Sequence, residues 1–235
     1  MIRIAVVGLG RMGRAVIAEA EARGHTVAAT IGGADNSAQE ALTPARLDGS
    51  QVAIEFTRPN VAPANLARLI DLGMPVVTGT TGWLDRLPAL VDQVSARNGA
   101  LLHAANFSPG LQLLLAAARA VAARLASDPS FDAAIAETHH RKKLDAPSGT
   151  ALLLQRELRA VDSSRPYAIT SQRIGAVPGT HSLLLDAPHE SLELTHTVRD
   201  RSVFAAGAVM AAEWLLGRRG VFTFDDLFNE VGASR

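Results

Sequence analysis

The chain has 235 residues, 48% of them hydrophobic, and its 23 lysines and arginines balance 23 aspartates and glutamates. This length and composition fit a globular protein with a substantial core, arranged as one large domain or two small ones. Zero formal net charge argues against a general nucleic-acid or membrane-surface binder, which would carry a basic excess. The absence of cysteine excludes disulfides, thiolate nucleophiles and cysteine-ligated metals. Neither a targeting segment nor an apolar run of membrane length is evident, so we expect a soluble, cytoplasmic protein.

The chain opens with a glycine-rich motif between a strand and a helix. Residues 2–7 are apolar and β-branched, which predicts a buried parallel strand, and residues 14–23 and 25–31 predict a helix and a second strand. Between the first strand and the helix lies a GxGxxG motif made of Gly8, Leu9, Gly10, Arg11, Met12 and Gly13. In this context the motif predicts dinucleotide binding, with the pyrophosphate at the helix N-terminus. The alternative is a glycine-rich turn that serves only helix–strand packing.

The sequence does not choose between NADH and NADPH. An acidic residue at the end of the second strand commonly binds the adenosine ribose, but Gly32 and Gly33 stand there, and Asp35 comes a few residues late. A basic residue for a 2′-phosphate is also missing at that point, although Arg11 and Arg14 could contribute.

The alternation of strands and helices continues through the first half of the chain. Residues 52–56, 74–78 and 100–105 predict strands, and residues 61–72 and 84–98 predict helices. This order specifies a doubly wound parallel sheet, in which ligands bind beyond the carboxyl ends of the strands. The small-residue loops at 8–13, 79–82 and 105–108 all lie at that edge, which favours an extended cofactor.

The stretch from 131 to 160 combines cations with a predicted helix start. A strand-like run over 131–136 leads to Glu137, His139, His140, Arg141, Lys142 and Lys143, followed by the turn 145–150. Ser148 or Thr150 can cap the next helix, whose first amides favour an anion. We therefore predict a pocket for a small, multiply anionic ligand, with His and Lys available to move protons. The alternative is a solvated loop, since adjacent histidines on a strand point to opposite faces.

The second half predicts a different architecture. A helix over 111–126 is followed by strands at 167–174, 182–186 and 191–199 without helices between them, which indicates a mixed or mostly antiparallel sheet in an α+β domain. Thr180 and His181 lie in a turn-rich loop, where they could reach a ligand or simply bond the loop. A helix over 204–218 and a short tail with a last helix capped by Thr223 are expected to return to the first domain. The predicted domains are thus 1–108 plus 205–235 for the dinucleotide and 109–204 for the substrate.

Several other residues are given no catalytic or binding role. Trp83 and Trp214 are interpreted as packing residues, and four histidines without a companion pattern are interpreted as structural or surface residues: His25, His103, His189 and His196. The spacing of His, Asp and Glu predicts no metal site.

Motifs along nearly the whole chain resemble those of one family. They are GLGRMG at Gly8, EFTRP at Glu55, TGTTG at Thr78, AANFSPG at Ala104, ETHHRKKLDAPSGTA at Glu137, GTH at Gly179 and LTHTVRDRSVFAAGA at Leu194. With these motifs the chain resembles the bacterial dihydrodipicolinate (4-hydroxy-tetrahydrodipicolinate) reductases of lysine biosynthesis. The block from Glu137 to Ala151 is the most specific of them.

The resemblance implies a fold, a reaction and roles for individual residues. It implies a Rossmann-like first domain and a homotetramer formed through the sheet of the second domain. The implied reaction is the NADH- or NADPH-dependent reduction of a small dicarboxylate, 4-hydroxy-tetrahydrodipicolinate, to tetrahydrodipicolinate. This reaction belongs to the diaminopimelate pathway. His139 matches a proton donor or acceptor, and Lys143 a proton donor. Matches to substrate-holding positions are His140, Gly149 and Thr150. Residues Gly8 to Gly13 match the family's pyrophosphate loop. Two further groups match the family's loops along the nicotinamide: Gly79, Thr80 and Thr81, and Ala104, Ala105, Asn106 and Phe107. Arg201 and Phe204 match positions near the cofactor.

Two other functions remain open from the sequence. One is a related dehydrogenase that acts on another small acid such as aspartate, against which the intact block at Glu137 argues. The other is a non-catalytic dinucleotide-sensing module, which would need the glycine loop but not His139, His140 and Lys143 beside a helix start.

Overall fold

The computed structural model describes residues 1–34 and 36–233, so Asp35 lies outside the described residues. The chain divides into two compact units, residues 1–108 together with the segment that starts at Ser202, and residues 109–201. Within the described residues, none of the helices is both long and apolar enough to cross a membrane.

The first unit contains a six-stranded sheet in which every pair of neighbours is parallel. Its strands are β1 (Arg3–Val7), β2 (Thr26–Ile31), β3 (Val52–Glu55), β4 (Val76–Thr78), β5 (Ala100–His103) and β10 (Gly220–Thr223), in the order β10-β5-β4-β3-β1-β2. The chain passes from β1 to β2, which lies on one side of β1, and then crosses to β3, which lies on the other side of β1. This reversal creates a crevice between β1 and β3 at the carboxyl edge, where such sheets bind ligands.

Helices cover both faces of this sheet. They are α1 (Arg11–Ala22), α2 (Pro44–Leu47), α3 (Ala62–Asp71), α4 (Leu87–Ala96), α7 (Ser202–Leu215) and α8 (Phe224–Ala233), with short 3-10 turns at Ser37–Gln39 and Leu84–Arg86. Because successive strand residues point to opposite faces, Ile4 and Val6 join the core formed with α1 and α7, whereas Ala5 and Val7 join the core formed with α3. The predicted doubly wound parallel sheet is confirmed.

The last strand was not predicted. The segment interpreted as a tail begins with β10, which pairs with β5 from Gly220 opposite Ala100 onward. Four residues are too few to show the alternation of apolar and polar side chains that is typical of a strand. Only the pairing with β5 therefore reveals this segment as an edge strand. At the start of the following helix, the amide and hydroxyl of Thr223 donate to Asp226 Oδ2 over 2.6 and 2.8 Å.

The second unit is a four-stranded mixed sheet with two helices. Its strands are β6 (Asp132–His139), β7 (Ala168–Arg173), β8 (Gly179–Ala187) and β9 (Glu190–Val198), and its helices are α5 (Pro109–Leu125) and α6 (Gly149–Val161). The order is β7-β6-β8-β9, with β6 and β7 parallel and the other pairs antiparallel, as the predicted mixed sheet allows. Ile135 and Leu183 on the sheet pack with Leu115 and Leu154 on the helices to form its core.

Candidate active site

The three glycines of the GxGxxG motif occupy different environments. Gly8 has a φ of +99°, and a Cβ there would lie 2.1 Å from the carbonyl oxygen of Phe56. A Cβ on Gly13 would lie 1.8 Å from the carbonyl oxygen of Gly8. Gly10, in contrast, has open space where its Cβ would be, among the atoms that the structure describes. The outer two glycines are therefore required by the fold of the loop, while the middle one leaves room for a ligand to approach the backbone.

The loop leads into a helix end that favours an anion. Gly10 is the N-cap of α1, and no described side chain caps it. The first turn contains Arg11, which is exposed, and half-buried Met12. Unpaired amides and the helix dipole stabilise negative charge at this position. A cavity of about 500 Å³ borders the loop, lined in part by Gly8, Leu9, Gly10, Gly32, Gly33 and Arg58, so the residues present fit the phosphate and adenosine parts of a dinucleotide.

A buried carboxylate organises the next loop along the sheet edge. Glu55, at the end of β3, is fully buried and accepts hydrogen bonds from the hydroxyls of Thr57, Thr78 over 2.5 Å and Thr80 over 3.2 Å. Thr57 N also donates to Thr80 Oγ1 over 2.8 Å. Burial raises the pKa of Glu55, although the threonine hydrogen bonds oppose that shift. No role was predicted for this residue from the sequence, in which the available signal was a lone acid at the end of an apolar strand.

The other residues matched to the nicotinamide lie on two loops at this edge. A Cβ on Gly79 would lie 1.9 Å from the ring of Phe56, and Thr81 is exposed. In the following loop Ala104 N donates to Thr78 O over 3.2 Å, Ala105 is exposed, and Asn106 Oδ1 accepts from Ser108 N over 2.8 Å.

Phe107 differs from its neighbours in that loop. Its ring is buried in the core, with its centroid 5.1 Å from that of Phe224. The side chain of Phe107 is therefore a packing residue, which its position in the AANFSPG motif did not reveal.

In the second unit, strand pairing gathers a polar cluster at one end of the core. Glu137 and His139 are two residues apart on β6 and therefore point to the same face as Ile135. In the pairing register Glu137 lies opposite His181 on β8, and His139 opposite Arg173 on β7. His139 Nδ1 lies 2.5 Å from Glu137 Oε2, and Arg173 Nη2 donates to Glu137 Oε1 over 2.8 Å. The rings of His139 and His181 meet edge to face at 5.0 Å.

The N-terminus of α6 adjoins this cluster. Its N-cap is Ser148, one of the two predicted candidates, and Ser148 Oγ accepts from Ala151 N over 3.2 Å. Ser148 N donates to Glu137 Oε1 over 3.2 Å, and Ser148 Oγ lies 3.0 Å from His181 Nε2. In the described part of the chain the amides of Gly149 and Thr150 have no hydrogen-bond acceptor. These two donors are thus available to an anion.

His181 was expected in a loop and is instead part of a strand. Gly179, Thr180 and His181 belong to β8, and His181 is buried, with 4% of its surface exposed. The nearby Gly and Pro residues concealed the start of the strand from local patterns. Gly179 lies beside the imidazole of His139, because a Cβ at this position would lie 3.0 Å from His139 Nε2.

The cationic stretch after β6 divides into buried and solvated side chains. Arg141 and Lys142 are exposed, as the solvated-loop alternative expects, whereas His139 is buried and His140 is half-buried. Lys143 Nζ donates to both carboxylate oxygens of Asp145 over 2.8 and 2.9 Å. The ammonium group of Lys143 is therefore held in place by a neighbouring carboxylate.

Burial and charge set the protonation of the cluster. Burial by itself would raise the pKa of Glu137, but hydrogen bonds, above all from Arg173, lower it to about 2. Burial lowers the pKa of His139 despite the opposing charge of Glu137. Burial, assisted by the nearby His139, lowers the pKa of His181 to about 4. At neutral pH the cluster thus contains an ionised glutamate and two neutral histidines.

Glu137, His139 and His181 also form a group of metal-ligand type. Their ligand atoms all lie within 4.8 Å of one another, an arrangement created by strand pairing that sequence spacing did not indicate. Glu137 Oε2 and His139 Nδ1 lie 2.5 Å apart, and within the described residues neither atom has a hydrogen-bond partner. Arg173 already neutralises the glutamate, so a divalent cation would meet an existing positive charge.

The fold and the two sites define a class of protein. A Rossmann-type sheet with its glycine loop, joined to a unit that presents imidazole, ammonium and free helix amides, is the arrangement of a nicotinamide-dependent oxidoreductase.

Comparisons with known proteins identify the family. Family models described as "Dihydrodipicolinate reductase, N-terminus" and "Dihydrodipicolinate reductase, C-terminus" match residues 2–107 and 110–228. The 4-hydroxy-tetrahydrodipicolinate reductase of Gluconobacter oxydans is 39% identical over 95% of this chain and 96% of its own. That of Natronomonas pharaonis is 36% identical over 96% and 99%. The chain belongs to the dihydrodipicolinate reductase family, as the sequence motifs had indicated.

A solved structure shows the same fold. The dipicolinate-bound dihydrodipicolinate reductase from Paenisporosarcina sp. TG-14 matches with a TM-score of 0.81, at 19% identity, over 96% of this chain and 99% of the other. Family and fold together imply a nicotinamide dinucleotide cofactor.

Proposed function

We propose that the protein reduces 4-hydroxy-tetrahydrodipicolinate to tetrahydrodipicolinate, in the diaminopimelate pathway of lysine biosynthesis, with NADH or NADPH. The observation that carries the proposal is the polar cluster of Glu137, His139 and His181 beside the N-terminus of α6, with Lys143 on the loop that precedes this helix. Relatives with this printed activity cover almost the whole chain, and a protein of the same fold is described with dipicolinate bound. When bound, the nicotinamide supplies the hydride, and the residues of the chain provide binding and protons.

The substrate carries two carboxylates, and the second unit offers matching donors. The free amides of Gly149 and Thr150 are positioned for one carboxylate at the positive end of the α6 dipole. His140 and Lys143 lie on the loop that precedes this helix. We therefore assign Gly149, Thr150 and His140 to substrate binding.

The proton required by the reduction is assigned to Lys143. Lysine carries its proton at neutral pH, and Asp145 holds the ammonium of Lys143 in one place. His139 is neutral in the free protein because burial lowers its pKa. A bound dicarboxylate brings negative charge toward His139 and favours its protonation, so His139 is proposed to exchange a proton after the ligand binds.

The cavity beside the glycine loop supports the use of either nicotinamide cofactor. No carboxylate lines it among the described residues, and Arg58 contributes a positive charge. A 2′-phosphate would therefore meet no described like charge, while NADH retains the contacts of the glycine loop. We expect values of kcat/KM for NADH and NADPH that differ by less than about tenfold, and comparable initial rates with both cofactors would support this.

The second unit also supports assembly into a tetramer. Thr138, Thr180 and Thr197 lie on the face of the sheet opposite the α5/α6 core. This polar face is where a second copy is proposed to pack, and light scattering during gel filtration measures the subunit number. A monomer at micromolar concentration would contradict the assembly proposal.

The test of the reaction is a rate measurement with freshly generated substrate. The disappearance of reduced nicotinamide is followed with each cofactor for the wild type, Lys143→Ala and the exposed neighbour Lys142→Ala. Lys143→Ala is expected to lower kcat on the order of 100-fold or more while cofactor affinity is unchanged. Lys142→Ala is the matched control and is expected to stay within about twofold of the wild type. The assignment is wrong if Lys143→Ala and His139→Ala both keep near wild-type turnover.

A further inference from the structure

We propose that Glu55 is a positioning residue for the dinucleotide, because its buried carboxylate holds the loop at residues 79–82 in the conformation that receives the nicotinamide half of the cofactor. The identity of the ligand rests on the proposed function, whereas the order of the loop is a property of the free protein.

The carboxylate of Glu55 connects the ends of two neighbouring strands. Glu55 is the last residue of β3, and its side chain is fully buried. Its Oε2 accepts from the hydroxyl of Thr78 over 2.5 Å, and its Oε1 accepts from the hydroxyl of Thr57 and, over 3.2 Å, from that of Thr80. Because Thr78 ends β4 and Thr80 follows in the next loop, one side chain ties this loop to both strands.

Backbone amides fix the direction of two of these hydroxyls. Thr80 Oγ1 accepts from Thr57 N over 2.8 Å, and Thr78 Oγ1 accepts from Thr80 N over 3.4 Å. Each hydroxyl has a single proton, which is therefore left to donate to Glu55. Among the described residues only hydrogen bonds oppose the effect of burial on the pKa of Glu55. The loss of one of them would leave a buried carboxylate oxygen without its partner.

The loop is also packed closely at its base. Thr80 O accepts from Trp83 Nε1 over 2.7 Å, and Trp83 is 1% exposed. A Cβ on Gly79 would lie 1.9 Å from the ring of Phe56, so the start of the loop lies directly against this ring. Thr81, in contrast, is exposed. The loop therefore has a fixed base and an accessible tip, as a surface that receives a ligand requires.

The order of the strands indicates which half of the cofactor this loop serves. The glycine loop follows β1, with β2 on one side of that strand and β3 and β4 on the other. In dinucleotide-binding sheets the adenosine ribose lies at the end of the second strand, so the nicotinamide half extends across the opposite side. Glu55 and residues 79–82 lie on that opposite side. We therefore expect Glu55 to affect the binding of the nicotinamide half more than that of the adenosine half.

A change from Glu55 to Gln removes one acceptor and keeps the size of the side chain. The amide of Gln has one oxygen that accepts and an NH2 group that only donates. If the amide oxygen replaces Oε1, the hydroxyl of Thr78 loses its acceptor, and this hydroxyl also binds Thr80 N. If it replaces Oε2, the hydroxyl of Thr80 itself loses its acceptor. In both orientations a hydrogen bond that holds Thr80 is disturbed.

The rival interpretation is that Glu55 only stabilises the pairing of β3 with β4. In that case Glu55→Gln would lower the Tm but leave the order of the loop and the cofactor affinity of the folded protein unchanged. Ile54→Val is the matched control, because Ile54 is the fully buried neighbour of Glu55 in the same strand and packs in the apolar core. It is expected to lower the Tm without affecting the loop.

The first test is hydrogen exchange of the Trp83 indole proton, measured by NMR in the full-length free protein. The chain has two tryptophans, and the signal is assigned by its loss in Trp83→Phe. Glu55→Gln is expected to speed this exchange about tenfold or more, and Ile54→Val less than about threefold, with the Trp214 indole as an internal reference. Wild-type exchange in Glu55→Gln, or equal acceleration in both variants, overturns the proposal.

The second test compares the binding of whole and truncated cofactors by titration calorimetry. The ligands are NADH, NADPH and ADP-ribose, which lacks the nicotinamide. Glu55→Gln is expected to raise the Kd of the reduced dinucleotides about tenfold and that of ADP-ribose less than about threefold. Unchanged affinity for NADH and NADPH, or an equal loss for ADP-ribose, would contradict the assignment of Glu55 to the nicotinamide half.

Thr78→Val provides a second variant if the Gln variant does not fold. It keeps a branched side chain but removes the hydroxyl that joins Glu55 Oε2 to Thr80 N, so it is expected to speed the Trp83 exchange and weaken NADH binding in the same direction. Wild-type values in both measurements would refute the proposal. If the wild type binds a dinucleotide but has no reductase activity, the proposed function fails, while the exchange and binding measurements still decide the role of Glu55.

Discussion

Acidification is expected to destabilise the second unit through His181. This histidine is 4% exposed, and burial together with the nearby His139 lowers its pKa from the ordinary 6.5 to about 4. Its ring faces His139, His196, Lys143 and the opposing charge of Glu137. The unfolded chain therefore binds a proton at a higher pH than the folded protein does.

The sign and size of the effect follow from linkage. Above the unfolded pKa both states are neutral at this site and no penalty exists. As the pH falls from 6.5 toward about 4, the unfolded state gains a proton that the folded state does not, and stability is lost. At about pH 5 the loss from this one group is about 2 kcal/mol, because each unit of pKa difference corresponds to about 1.4 kcal/mol once fully expressed.

The assay compares unfolding by urea at about pH 7.5 and about pH 5 for the wild type, His181→Gln and the control His189→Gln. Circular dichroism follows the whole chain, and the near-ultraviolet signal of the single tyrosine, buried Tyr167, follows the second unit. His189 is exposed, so its replacement is expected to leave the pH dependence as in the wild type. His181→Gln is expected to lose about 2 kcal/mol less on acidification. An equal loss in all three proteins would refute the reasoning.

Three further predictions concern the glycine loop, the imidazole and the second core. Gly13→Ala is expected to weaken NADH binding more than tenfold in titration calorimetry, because its Cβ would lie 1.8 Å from the carbonyl oxygen of the first loop glycine; unchanged affinity would contradict this. Gly179→Ala would press a methyl group against His139 Nε2 and is expected to lower kcat about tenfold with cofactor affinity retained, whereas wild-type kcat would show that Nε2 needs no open space. Leu154→Ala, fully buried, is expected to cost about 2–5 kcal/mol in urea unfolding, against less than about 1 kcal/mol for 48% exposed Leu152→Ala; equal losses would count against the described core.

Local patterns sufficed for the elements whose signals are local. The apolar run before Gly8, the glycine motif and the alternation that follows predicted the parallel sheet, because buried parallel strands and helix starts leave their signature within a few residues. The turn before α6 was predicted in the same way, since its Pro, Ser and Gly act on adjacent backbone groups, and Ser148 caps the helix.

Other features were invisible until the strands were paired. Glu137, Arg173 and His181 are far apart in the chain, and their meeting depends on the register of β6 with β7 and β8. The three threonine hydroxyls around Glu55 and the short edge strand β10 likewise depend on neighbours supplied by the fold.

The amino-acid sequence by itself determined the alternation of strands and helices in the first half of the chain, the start of α6 and the family, because each is encoded in contiguous residues. Only the tertiary structure decided which carboxylate faces which imidazole and which amides stay free. The physical reason is that side-chain direction alternates along a strand, so a partner is chosen by the register between strands and not by distance along the chain.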